Sequence, residues 1–144
     1  MHGRAQNQWF DAFRLAASRG ELSGRVDPQS LPRLEELVAG PGGHVDWTIR
    51  GCADAEGRPA ITLALEGVVP LTCQRCLGTL TERVGRATLL LLARDDTDLV
   101  RLDEASEQEV VVAGEPLDPA TLVEDELLLT LPFAPRHEGE CADP

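Results

Sequence analysis

The sequence predicts an α+β fold. It reads as one domain built on a mainly antiparallel β-sheet, with a β-hairpin CxxC knuckle and helices packed near both ends. Three observations predict it. "VDWTIRG" and "AITLALEG" alternate apolar and polar residues on either side of a Gly- and Pro-containing turn, as hairpin strands do. "LTCQRCLGTL" sets Cys73 and Cys76 two residues apart between strand-like runs. "LDPATLVEDELLLTLP" has an Asp-Pro start and a Pro stop around an apolar run, the punctuation of a helix. A domain of 144 residues buries about 68–70% of its unfolded surface, so its fold does not depend on a metal or disulfide staple.

Along the chain, "NQWFDAFRLAASRG" predicts a short helix ending at Gly20. Trp9 and Phe13 are spaced i, i+4 with Phe10 beside them, which suits docking on the chain's own core or, alternatively, anchoring a partner. "SLPRLEELVAGPGG" predicts a second helix with Ser30 as N-cap, Pro32 in its first turn and Leu31, Leu34, Leu37 and Val38 on one face. Gly40 and Pro41 stop it. In the hairpin, Val45, Trp47 and Ile49 point inward from one strand and Ile61, Leu63 and Leu65 from the other. Cys52, with no Cys or His near it in sequence, takes a packing role.

The second hairpin strand runs through "VVPLTC" into the knuckle, and "LTERVGRATLLLLA" leaves it as a long strand. From Arg94 to Glu109, seven of sixteen residues are acidic and two basic, which predicts a solvated acidic loop over about 95–109. "VVVAG" predicts a short edge strand. The C-terminal helix takes Asp118 as N-cap, Pro119 at its first position and Pro132 as its end. Glu126 falls between Leu122 and Val123 on the wheel. It is either a snorkelling surface carboxylate or a buried one that needs a partner, with Arg75 or Arg136 available. The tail, residues 133–144, carries His137 and Cys141.

Composition narrows the function. Hydrophobic content of 42% and charged content of 26% are those of a soluble globular protein. The longest apolar run, Leu89 to Ala93, is far too short to span a bilayer, and no secretory signal follows Met1. The expected compartment is the cytoplasm, where thiols stay reduced, so four cysteines argue against a disulfide framework. All 13 basic residues are arginine and the net charge is −12. Such a chain attracts basic proteins and repels free RNA at long range. No Gly-rich phosphate loop and no Ser-His-Asp pattern is evident.

A tetrahedral zinc site takes four N or S ligands, commonly as two close pairs. Cys73 and Cys76 form one pair; His137 and Cys141 form an H-x-x-x-C pair sixty residues on. Gly78 eases the turn. Two other readings stand beside a structural zinc site. A redox dithiol is disfavoured, because low-pKa C-x-x-C motifs open helices and this one lies between strands. Inert thiols on a hairpin that holds no metal are the other.

The chain resembles the YceD family, the large ribosomal RNA subunit accumulation proteins. The resemblance rests on "LTCQRCLGTL" and "LDPATLVEDELLLTLPFAPRHEGEC", with support from "LPRLEELV" and the hairpin. The family's Cys-x-Arg-Cys falls on Cys73, Arg75 and Cys76; its carboxylate-rich helix falls on Glu124, Asp125 and Glu126; its Pro-x-His and Cys fall on Pro135, His137 and Cys141. Members often continue into a longer basic tail, whereas three residues follow Cys141 here. The resemblance implies a non-enzymatic bacterial factor supporting synthesis, processing or accumulation of 23S ribosomal RNA. It also implies a suspected metal site.

The expected partner is a large-subunit ribosomal protein or assembly factor, with rRNA contacted indirectly and neither membrane nor small-molecule substrate involved. Arg75, Arg83 and Arg86 are the candidates for a local RNA contact, and Trp9, Phe13 and Glu126 are further candidate binding residues. The alternatives are a zinc-dependent or thiol-based enzyme acting on rRNA or an assembly protein, and an acidic chaperone for a basic ribosomal protein. Four protein ligands would leave no open position on zinc, which favours a structural site.

Overall fold

The hairpin forms as its alternation requires. In the computed structural model, which describes residues 9–132 and 134–137, β1 (Glu21–Val26), β2 (His44–Ala53), β3 (Pro59–Thr72), β4 (Thr79–Ala93) and β5 (Glu109–Val112) make one sheet in sequence order. Neighbours are antiparallel except β4 and β5, which run parallel. Three α-helices, α1 (Ala12–Ser18), α2 (Asp96–Ala105) and α3 (Pro119–Thr130), complete an α+β domain. Among the described residues, no helix is long and apolar enough to cross a membrane.

The core lies where the pattern placed it. Val45, Trp47, Ile49, Ile61, Leu63 and Leu65 are all buried, and α3 adds Leu122, Val123 and Leu127. α3 begins as expected, with the Asp118 carboxylate accepting from the Ala120 N–H at 3.0 Å and Pro119 in its first turn.

Four expectations change. The N-terminal helix starts only at Ala12, capped by Asp11, whose carboxylate accepts the Arg14 N–H at 3.1 Å. Trp9 therefore precedes the helix and does not share a face with Phe13. Phe10 instead bridges to Leu117 through N–H to carbonyl bonds of 3.0 and 2.8 Å.

The expected second α-helix is two single 3₁₀ turns, Pro28–Ser30 and Pro32–Leu34. The Leu31, Leu34 and Val38 side chains are buried as the helical reading required. The helix cannot lengthen, because Val38 forms a β-bridge with Leu71 and the Ala39 N–H donates to the Pro70 carbonyl at 2.8 Å.

β1 was not anticipated. Its Leu22 and Val26 alternate, but Gly24 between them weakened the signal. The glycine is a packing requirement: a Cβ there would lie 2.7 Å from the Trp47 ring opposite it. Cross-strand pairs Arg25–Asp46 (2.7 Å) and Arg50–Glu21 (2.8 Å) lie along this exposed edge, where ion pairs add little to stability. The Arg25 guanidinium holds the Asp46 carboxyl below its ordinary value.

The acidic segment is helix α2 rather than a loop. Asp95 caps it by accepting the Asp98 N–H at 2.9 Å, and Asp96 and Asp98 sit in the first turn, where the helix dipole favours negative charge. Hydrogen bonds from the Arg94 N–H and then the Arg101 guanidinium hold the Asp98 carboxyl below the usual carboxylate range. α2 lies against β4 and β5 and buries Leu102. Leu90 and Leu92 face the main core, while Leu91 and Ala93, on the opposite face, are buried as well. The continuous apolar run of β4 is thus a strand covered on both faces.

Candidate metal centre

Cys73 and Cys76 stand at the turn joining β3 to β4, where the register closes with Thr72 opposite Thr79. The turn is held by backbone bonds: the Cys73 N–H donates to the Gly78 carbonyl and the Leu77 N–H to the Cys73 carbonyl, both at 2.8 Å. Two further amides point at sulfur, Arg75 N–H to Cys73 Sγ and Gly78 N–H to Cys76 Sγ, each at 3.4 Å. Backbone N–H groups thus position both sulfurs. Leu77, rather than Gly78, takes the left-handed conformation of the turn (φ 64°), and its side chain is 74% exposed.

The tail returns to this turn. The Gln74 N–H donates to the Pro135 carbonyl at 2.7 Å, which brings His137 beside the cysteines. One ligand atom each from Cys73, Cys76 and His137 all lie within 4.8 Å of one another. Cys76 Sγ and His137 Nδ1 are 3.6 Å apart. Zinc–sulfur and zinc–nitrogen bonds of about 2.3 and 2.0–2.1 Å at a tetrahedral angle put S and N about 3.6 Å apart. The other ring nitrogen, Nε2, is 3.2 Å from the Thr79 carbonyl. Metal-bound histidines characteristically donate their second N–H in that way. The donor set therefore fits a soft divalent metal, and these three side chains can hold one. Cys141 lies outside the described residues.

The structure separates the other candidates. Glu126 is buried (3% exposed), not a snorkelling surface group, and its partners are Arg86 and Thr88 rather than Arg75 or Arg136. Arg86 and Thr88 reach it because they lie opposite Leu65 and Leu63 on the core-facing side of β4. Arg86 also lies 3.7 Å from Glu109 and 3.1 Å from Thr88 Oγ1. It is tied into the protein's own carboxylates, which leaves it ill placed for an RNA phosphate. Arg83 is exposed on β4, and Arg75 is exposed within the knuckle. Trp9 is 60% exposed, whereas Phe13 packs against the core beneath the Arg94 guanidinium at 4.6 Å. Cys52 is half-buried with its Sγ 3.6 Å from Thr62 Oγ1.

The sequence placed Glu124 in the family's carboxylate-rich helix but did not reveal its burial or its partner. It is buried and receives the Arg33 N–H at 2.7 Å and the Arg33 Nε at 3.0 Å, while the same guanidinium pairs with Asp125. The available signal was the run of adjacent carboxylates on an otherwise apolar helix.

Glu109, on β5, has its carboxyl pushed up by burial first and by the Glu126 charge second, against the opposing pull of Arg86. A carboxyl raised in the folded state opposes folding once ionised. That penalty is absent below the unfolded value of about 4.3 and grows as pH rises through the folded value. Glu109→Gln is therefore expected to stabilise the protein at pH 7 and to be neutral near pH 4. Urea unfolding at the two pH values checks this, and a destabilised variant at pH 7 would refute it.

The family described as large ribosomal RNA subunit accumulation protein YceD matches residues 61–144, a span that holds the knuckle, β4, α3 and the tail. No solved structure matches the chain.

Proposed function

The chain belongs to the YceD family of large ribosomal RNA subunit accumulation proteins, and on that premise we propose that it is a non-enzymatic cytoplasmic factor in large-subunit assembly. It acts by docking a basic ribosomal protein or assembly factor rather than by gripping free RNA. Its knuckle holds a structural zinc through Cys73, Cys76, His137 and Cys141. The observation that carries the reading is the family match itself, over more than half of the chain.

Charge supports a protein partner. Net charge is −12. Arg25, Arg33, Arg50, Arg58, Arg86 and Arg101 are each engaged by the protein's own carboxylates. Non-specific RNA affinity comes mainly from cations that neutralise phosphates. Arginines committed internally add little to it, and the acidic surface suits a basic protein. A closed four-ligand site leaves no coordination position for a substrate, which sets the hydrolase reading below the structural one. An acidic chaperone for a basic ribosomal protein becomes the same reading if that protein belongs to the large subunit.

Leu77 is the contact we assign to the partner. A non-glycine residue in the left-handed region costs about 1 kcal/mol, yet this one carries an exposed leucine at the knuckle's tip. Leu77→Gly is expected to stabilise the protein by about 1 kcal/mol. It is also expected to weaken capture of large-subunit precursors and ribosomal proteins in pull-downs from lysate. Absence of such proteins from the wild-type pull-down overturns the assembly reading; undiminished capture by the variant overturns the role of Leu77.

A further inference from the structure

We propose that the depression bounded by α1, the β2–β3 turn and the end of β4 binds a small organic anion, a carboxylate or phosphate head on a flat apolar body. The cavity measures about 330 Å³, within the range of about 300–1,000 Å³ typical of ligand pockets. Phe13, Ala17 and Pro59 supply apolar walls, Cys52 a polarisable one, and Arg19 and Arg94 bring cationic groups. Among the described residues, no carboxylate lines it.

That charge pattern inverts the rest of the molecule. In a chain of net charge −12, six arginines are paired with carboxylates. Arg19 and Arg94 make no ion pair among the described residues, and both line the same cavity. The Arg94 guanidinium is fixed by stacking 4.6 Å from the Phe13 ring centroid, and its charge is felt by Asp98 only at longer range. Arg19 occupies the left-handed C-cap of α1 at φ 56°, a position that favours glycine. The conformational cost is borne by a residue that lines this cavity. Two guanidinium groups beside an aromatic face match an anionic head on a flat body.

The site is independent of the metal knuckle and of the assembly role. The cavity meets β3 at Pro59 and the knuckle follows Thr72, so they sit at opposite ends of a strand of 14 residues, roughly 40 Å apart at about 3.3 Å per residue. Apart from Arg94, the cavity residues precede residue 61, where the family match begins.

The test is titration of the full chain with benzoate and with phenyl phosphate, followed by amide chemical shifts, with benzamide as the neutral control. The expected result is saturable shifts at Arg19, Ala53 and Gly57, with a Kd on the order of 1 mM or tighter for at least one anion. Benzamide should bind at least about tenfold more weakly. The stronger of the two anions identifies the head group. Arg19→Gly relieves the left-handed strain, so it folds at least as well as the wild type, yet should bind about tenfold more weakly, as should Arg94→Gln. Ala17→Trp, placed at an exposed helix position, should fill the cavity and abolish saturation. Linear shifts with both anions, shifts centred elsewhere, or affinity unchanged in both arginine variants would overturn the site.

Discussion

Cys73→Ser should abolish stoichiometric zinc binding and lower the thermal midpoint by about 10 °C. The magnitude follows from linkage. A metal present at about 1,000 times its dissociation constant stabilises the folded state by about 4 kcal/mol, and a domain of this size shifts by about 2–4 °C per kcal/mol. The variant should still fold, because the buried core formed by β2, β3 and α3 does not depend on the knuckle. Cys73 is the best residue to change: it is fully buried, its carbonyl and N–H close the turn, and its Sγ receives the Arg75 N–H. Acidification should mimic the mutation, since thiolate and neutral imidazole must be protonated as the metal leaves. Metal analysis with differential scanning fluorimetry checks both effects. Zinc far below one equivalent in protein never exposed to chelator would sink the site. So would a Cys73→Ser protein that keeps its zinc.

Arg86→Met should destabilise the protein by about 3 kcal/mol at neutral pH, at the low end for breaking a buried ion pair, because Arg86 itself is 40% exposed. It leaves the Glu126 carboxylate, 3% exposed, with Thr88 as its remaining partner at 3.0 Å. Arg86→Met with Glu126→Leu should recover most of that loss, since replacing both members of such a pair with apolar groups is often neutral. The coupling between the two sites, read from a double-mutant cycle in urea, should exceed about 1 kcal/mol. A single Arg86→Met variant as stable as the wild type would show that the pair does not anchor α3. If Arg86 serves packing, its loss lowers stability and spares partner capture at temperatures where the variant is folded. A phosphate-binding arginine would do the reverse.

Legibility differed from element to element for physical reasons. β2, β3 and α3 were readable because a period of two or a capped apolar run states its own geometry. α2 was hidden because its acidic run resembles a solvated loop; the Asp95 cap and the buried Leu102 were weaker signals than seven carboxylates. β1 was hidden because Gly24 looks like a break, and its purpose, room for Trp47, exists only once the strands pair. At the candidate site, the types and spacing of Cys73, Cys76 and His137 were visible in the chain, as was the strand–turn–strand setting that disfavours a redox pair. Their convergence was not visible. It depends on the Gln74–Pro135 hydrogen bond that draws the tail to the knuckle, a contact between residues far apart in sequence.

The sequence by itself determined the α+β class, the hairpin and its inward face, the C-terminal helix and the residue types at the knuckle. These are local matters of periodicity, caps and spacing. Only the tertiary structure decided who partners whom. Arg86 rather than Arg75 or Arg136 meets Glu126, Arg33 meets Glu124, and Arg19 and Arg94 meet at one cavity. Charge pairing depends on distances across strands, turns and helices that no local pattern encodes, and buried carboxylates take whichever guanidinium the packed fold presents.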